Sequence, residues 1–115
     1  MTLQDVITII RSISGHPSNK CYYHLALVVY HCCQIPIYQG FCLEKQIYPV
    51  ISSEIGLSTV SISRSVARAA HDCWDYGDRK KLEHIAGRRL VTKPSPKELV
   101  CYLCEFLNGG IIMAQ

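Results

Sequence analysis

The chain has 115 residues, of which 49% are hydrophobic and 18% charged. At about 100–200 residues per domain it makes one domain; it is too apolar for a disordered chain and too small for a large cleft between two domains. Twelve Lys and Arg against nine Asp and Glu leave a mild net charge of +3.

The dominant period is helical. Leu3, Val6, Ile7, Ile10 and Ile13 follow a three-four spacing, which predicts an amphipathic helix over 3–13. Thr2 is its N-cap and Asp5 sits favourably in its first turn. Gly15-His16-Pro17-Ser18-Asn19 is a break. A second helix is expected from about Lys20 to Cys33, apolar nearly all round and therefore central. Val28-Val29-Tyr30 also reads as a buried strand, but the length of the apolar run and its lack of alternation favour helix.

Ile35-Pro36 and Gln39-Gly40 bound an irregular segment, and a short helix is expected at Leu43–Ile47. Pro49 suits the first turn of the next helix, which runs to Ile55 and stops at Gly56 in a left-handed conformation. Ser58 caps a long helix reaching about Tyr76, ended by Gly77-Asp78. Arg79–Ala86 is a further short helix stopped by Gly87, and 88–94 is loop. Ser95-Pro96-Lys97-Glu98 combines an N-cap Ser, Pro at the first helical position and a capping-box Glu. The last helix runs to about Leu107, and 108–115 is a tail whose Ile111, Ile112 and Met113 either pack on a neighbour or stay loose. The expected fold is all-α: a compact bundle of about six helices in a single domain, 1–115, with its core over about 3–107.

The segment from Tyr48 to Asp78 has the layout of a helix-turn-helix: a short helix, a glycine turn and a longer helix. Ile51 and Ile55 point inward, Ser52 is small at the helix crossing, and Leu57 is expected to plug the turn. At about 100° per residue, Ile62, Val66, Ala69 and Cys73 share the core face of the second helix. Arg64, Arg68 and His71 form the opposite ridge, with Ser61 beside it. Arginine can bind guanine edges bidentately, and short hydroxyl side chains bind bases or phosphates. Arg64, Arg68, Ser61 and Thr59 are thus the candidate base-reading residues. The charge is also uneven, with 5 basic and 6 acidic side chains in 1–78 but 7 basic and 3 acidic in 79–115. Ser58, His71, Arg79, Lys80, Lys81, Arg88, Arg89 and Lys93 are the candidate phosphate contacts. An ordinary solvated face is the competing reading of the same cations.

Tyr48-Pro49-Val50-Ile51, followed by the long helix ending Cys73-Trp74-Asp75-Tyr76-Gly77-Asp78, resembles the effector-domain family of the stage 0 sporulation protein A, a response regulator of endospore formation. Lys93-Pro94-Ser95 with the helix behind it is a second match, and Lys20–Tyr30 a weaker third. The resemblance covers about 3–107. It implies a six-helix fold and sequence-specific binding of double-stranded DNA, often by tandem domains, so that a homodimer on DNA is expected. It further implies contact with an RNA polymerase sigma factor. In the full regulator a receiver domain precedes the effector; here Met1 stands directly before the first helix, so the expectation is a stand-alone effector domain. Ser61 and Ala67 stand where the family has arginines, and Arg68 replaces a histidine. Either the DNA preference has changed, or specific binding is weakened and the fold serves as a protein-interaction module.

The remaining signals point away from other classes. A basic n-region is missing at the N-terminus, and the longest strongly apolar stretch, Leu25–Tyr30, is too short to span a bilayer. The expected location is therefore the cytoplasm, with no membrane partner. Seven cysteines, an odd number, read as reduced thiols. Cys101-x-x-Cys104 lacks a second ligand pair at zinc spacing and reads as core thiols, Cys73 likewise, while Cys32 and Cys33 are expected to be partly exposed. His16, His24 and His84 read as surface or satisfied helix residues, and Trp74 as a core anchor beside Tyr48. Without a glycine-rich phosphate loop or a nucleophile elbow, no catalytic role, cofactor or metal is expected.

Overall fold

Local capping chemistry fixes most helix ends. A computed structural model of the chain describes residues 2–35 and 42–108. Helix α1 (Leu3–Ile13) opens with a capping box, Thr2 accepting from the Asp5 amide and Asp5 from the Thr2 amide. Asn19 caps α2 (Lys20–Cys32) through its side chain. Helix α3 is Tyr48–Ile55, α4 is Thr59–Tyr76 capped by Ser58, and α5 is Arg79–Ala86 capped by Asp78. Helix α6 (Pro96–Leu107) carries the expected capping box of Ser95 and Glu98. Gly56 and Gly87 close α3 and α5 in the left-handed region, with φ of 73° and 72°. The fold is all-α, with six helices, as the sequence pattern predicts. The irregular segment expected near 36–41 and the 109–115 tail lie outside the described residues.

The short helix expected at Leu43–Ile47 is instead a π-helical turn running directly into α3. Pro49 supplies the reason. It has no N–H to give the Lys45 carbonyl, and its ring would collide with that oxygen in α geometry. The turn widens, and the Tyr48 amide bonds to Leu43, five residues back.

Helix α2 is the centre of the bundle. Eight of its residues are buried, and it packs against α1, α4 and α6. Ile10, Ile13, Leu25, Val28, Val29, Ile62, Val66 and Leu103 are among the side chains joined in one core. The thiols of Cys73 and Cys104 are buried in it, as expected, and Cys101 is half-buried. Cys32 departs from expectation: it is fully buried, and only Cys33 is partly exposed. The α2 register turns Cys32 inward with Leu25, Val28 and Val29. The Cys104 Sγ donates to the Val29 carbonyl at 3.7 Å. Contact with Cys104 and burial push the Cys33 thiol well above its ordinary range, and contact with Cys32 and burial do the same for Cys104, so both stay protonated. Burial likewise pushes the Cys73 thiol up to about 12.

Two glycines let α1 and the α1–α2 turn approach the end of α4. A Cβ on Gly15 would sit 2.6 Å from the Tyr76 Cβ, and one on Gly77 would overlap the Ile13 carbonyl oxygen. Gly77 has an extended backbone, so its requirement is space and not φ. Gly77→Ala should therefore cost stability near the upper end of about 1–3 kcal/mol. Gly56 faces open space, and its positive φ alone makes Gly56→Ala cost about 1–2 kcal/mol, part of which Gly56→Asn recovers. Urea unfolding of the three variants checks both.

Candidate nucleic-acid interface

The turn between α3 and α4 is built by its own residues. Gly56 reverses the chain, and the Ser52 hydroxyl donates to the Leu57 carbonyl at 2.5 Å. Ser52 thus does more than allow a close crossing: it ties α3 to the turn. Leu57 does not plug the turn as expected; it stays 37% exposed. Behind it Ile51, Ile62 and Val66 are completely buried, so the contact between α3 and α4 is already filled.

Helix α4 presents its core face and its polar face as its period predicts. Ile62, Val66, Ala69 and Cys73 are buried, while Arg64, Arg68 and His71 are exposed. Among the described residues neither Arg64 nor Arg68 has a hydrogen bond or ion pair. Thr59 and Ser61 are half-buried at the helix start. The Ser58 hydroxyl accepts from the Ser61 amide and lies 3.0 Å from the Ser61 hydroxyl, so both side chains serve the cap. The polar face is bordered on both sides. On one, Thr59, Val60, Ser63 and Arg64 line a concavity of about 370 Å³ with Glu44 and Tyr48. On the other, Ser65 hydrogen-bonds His24 of α2 at 2.7 Å. Burial and the charge of Lys20 hold the His24 pKa below its ordinary value, favouring the neutral ring.

The phosphate candidates fall into separate groups. His71 and Arg79 are engaged within the protein. The His71 ring pairs with Asp75 at 2.8 Å. Arg79 donates to the Trp74 carbonyl and stacks 3.9 Å over the Trp74 ring. Trp74 is accordingly half-buried, with this cation as its cover, and not a fully enclosed anchor. Lys80 is exposed beside Arg79 and Lys81 is half-buried. This end of α4 lies about 15 Å along the axis from Arg64. Arg88, Arg89 and Lys93 are exposed around a polar depression of about 170 Å³ that also includes Glu98 and Tyr102. The Leu90 amide donates to Glu83, which anchors that loop to α5.

Two features were not read from the sequence. Lys97, at the start of α6, lines a concavity with Ser63 and Glu44 and so brings a cation beside α4 that chain order alone does not suggest. More consequential is Asp72, the one buried charged side chain of the described residues. Its Oδ2 accepts from the Tyr22 hydroxyl at 2.5 Å and from the His16 amide at 2.9 Å; its Oδ1 lies 2.6 Å from His16 Nδ1. The Tyr22 oxygen in turn accepts from the Gly15 amide. An ionised carboxylate only accepts, so Nδ1 carries the hydrogen of that contact. Burial raises the Asp72 pKa, but the bonds from Tyr22 and His16 together outweigh it and hold the carboxyl below its usual range. Burial and the same Asp72 contact push the Tyr22 hydroxyl far up.

Among the described residues no group of three or more His, Cys, Asp or Glu is placed to hold a metal ion, and no helix is long and apolar enough to cross a membrane. No family model matches the chain, and no curated protein matches it either.

Asp72→Ala should cost about 3 kcal/mol, since it strands the Tyr22 hydroxyl and the His16 amide. Asp72→Asn should cost less, because its carbonyl oxygen can keep the two bonds made to Oδ2. A depressed carboxyl pKa adds stability that is complete above the ordinary carboxylate range, about pH 4, and is lost as pH falls through the lower folded value. Urea unfolding from about pH 6 to about pH 3 should show wild type losing stability on that limb and Asp72→Asn losing less.

Proposed function

We propose that this chain is a DNA-binding transcription regulator of the sporulation-effector type and acts on double-stranded DNA in the cytoplasm. The observation that carries the reading is the state of α4: Arg64 and Arg68 stand exposed and unpaired among the described residues, on the face opposite the core of a helix-turn-helix. In this reading the α4 N-terminal half enters the major groove. Arg64 and Arg68 bind base edges, with Thr59 and Ser61 close to the bases or backbone at the helix start. Lys80, Lys93, Arg88 and Arg89 supply backbone contacts. His71 and Arg79 drop to a secondary role, since Asp75 and Trp74 already hold them. A tandem pair or homodimer on DNA and a sigma-factor contact belong to the same proposal.

A second reading has its own observation. Glu44 places a carboxylate in the concavity that holds Arg64, and the reading face carries only two arginines. Both features lower affinity for a polyanion and suit a fold retained for binding RNA polymerase, a sigma factor or another regulator.

Fluorescence-anisotropy titrations with a randomised duplex pool at two salt concentrations separate the two. The proposed function expects wild type to select particular sequences. Each of Arg64→Ala and Arg68→Ala should lose about 1–3 kcal/mol of discrimination. Lys93→Ala should weaken all duplexes evenly and reduce the salt slope by about 1. Weak, unselective binding unchanged in the Arg64/Arg68 double variant would instead favour the protein-interaction reading.

A further inference from the structure

Val60 is the second residue of α4 and stands 55% exposed. With Val50 and Leu57 it makes up the large aliphatic side chains that stand exposed on the described helix-turn-helix. A solitary exposed valine needs no explanation, but its position here does. Val60 precedes Arg64 by four residues, hence by one turn on the same helix face. Both line the concavity that opens beside the polar face of α4. The residues that line it with Val60 are Thr59, Ser63, Arg64, Glu44 and Tyr48. Val60 is therefore the one wholly aliphatic side chain among the residues that line this concavity.

The major groove offers one strongly apolar feature to such a group, the 5-methyl of thymine. We propose that Val60 is a specificity-determining residue that reads a thymine methyl beside the guanine bound by Arg64. The inference rests on the DNA-reading function proposed above and narrows its target. Four residues of α-helix advance about 6 Å, close to two base steps of about 3.4 Å each. The thymine therefore lies within about two base steps of the Arg64-dependent guanine. The small side chains at Ser61, Ser63 and Ala67 flank Val60 and Arg64 without a long group to hold the helix away from the base edges.

The test uses the full chain and the duplex that wild type enriches from a randomised pool. Each thymine is replaced in turn by deoxyuridine, which removes the methyl and keeps the hydrogen-bonding edge. One thymine within about two steps of the Arg64-dependent guanine should show about a fourfold loss of affinity, the value of one buried methyl-sized group. Val60→Ala should lose a similar amount on the thymine duplex and show no further loss with deoxyuridine. Circular dichroism checks that the variant remains folded, as expected for an exposed site. If selection depends on Arg64 but every deoxyuridine duplex binds like its parent, the Val60 inference fails and the DNA-reading function stands. The same holds if the deoxyuridine penalty persists in full in Val60→Ala. If no sequence is enriched at all, both fail together.

Discussion

The carboxylate of Asp72 fixes where α4 points. It sits near the C-terminal end of that helix and accepts bonds from His16 and Tyr22, residues from the α1–α2 turn and the start of α2. A buried charge is costly when unpaired, so this one is tolerable only where the turn and Tyr22 meet it. The network therefore specifies one docking of α4 against α1 and α2 and penalises rotations of the helix. Gly15 and Gly77 make the contact sterically possible, because a side chain at either would push the segments apart. At the other end the Ser58 cap and the bond from Ser52 to Leu57 hold the turn. The exposed face between these two clamps has its direction set by interactions on the opposite side and at the ends.

This arrangement divides α4 into two halves with different tasks. The C-terminal end carries Asp72, the His71–Asp75 pair and Trp74 under Arg79, so its polar groups are already engaged within the protein, Asp72 in positioning the helix. The stretch from Thr59 to Arg68 carries short side chains, Val60 and the two arginines that make no hydrogen bond or ion pair among the described residues, so Arg64, Arg68 and Val60 face solvent. Charge counting over the sequence does not show this division. It treats Arg79 and Arg64 alike, whereas the Arg79 guanidinium is held against an indole and a helix-terminal carbonyl.

Features set by neighbours in sequence were legible from the sequence. The N-cap at Thr2, the capping box at Ser95, the glycine stops at 56 and 87, and the buried stripe of Ile62, Val66, Ala69 and Cys73 each depend on residues within a turn or two. The departures share a different origin. Leu57 stays outside because Ile51, Ile62 and Val66 already fill the space, a three-dimensional fact that hydrophobicity alone does not show. Cys32 is buried because of the register of α2 against its neighbours. The π-turn is a near exception: Pro49 is a helix-start signal, but its missing N–H acts on the turn before the helix that it opens. The Asp72 network is the clearest case. His16 and Asp72 are 56 positions apart and Tyr22 and Asp72 are 50 apart, and no local pattern links them. The only available sign was an aspartate on the flank between the core stripe and the exposed ridge of α4, where a lone carboxylate reads as a surface residue.

The position of these two halves bears on how few cations the proposed interface needs. Long arginines gain affinity by reaching phosphates, and that term is largely independent of sequence. Ser61 and Ala67 are short and carry no such arm, and Glu44 opposes polyanion attraction at the same place. What remains at the α4 N-terminal half is short, so in the proposed complex the backbone can approach the base edges closely, where Arg64 and Val60 differ most in what they accept. A helix held rigidly from behind by Asp72 suits such close docking, because contacts made through short side chains tolerate little error in helix direction. On this reading a face with only two arginines limits general affinity for DNA more than it limits the ability to tell one sequence from another.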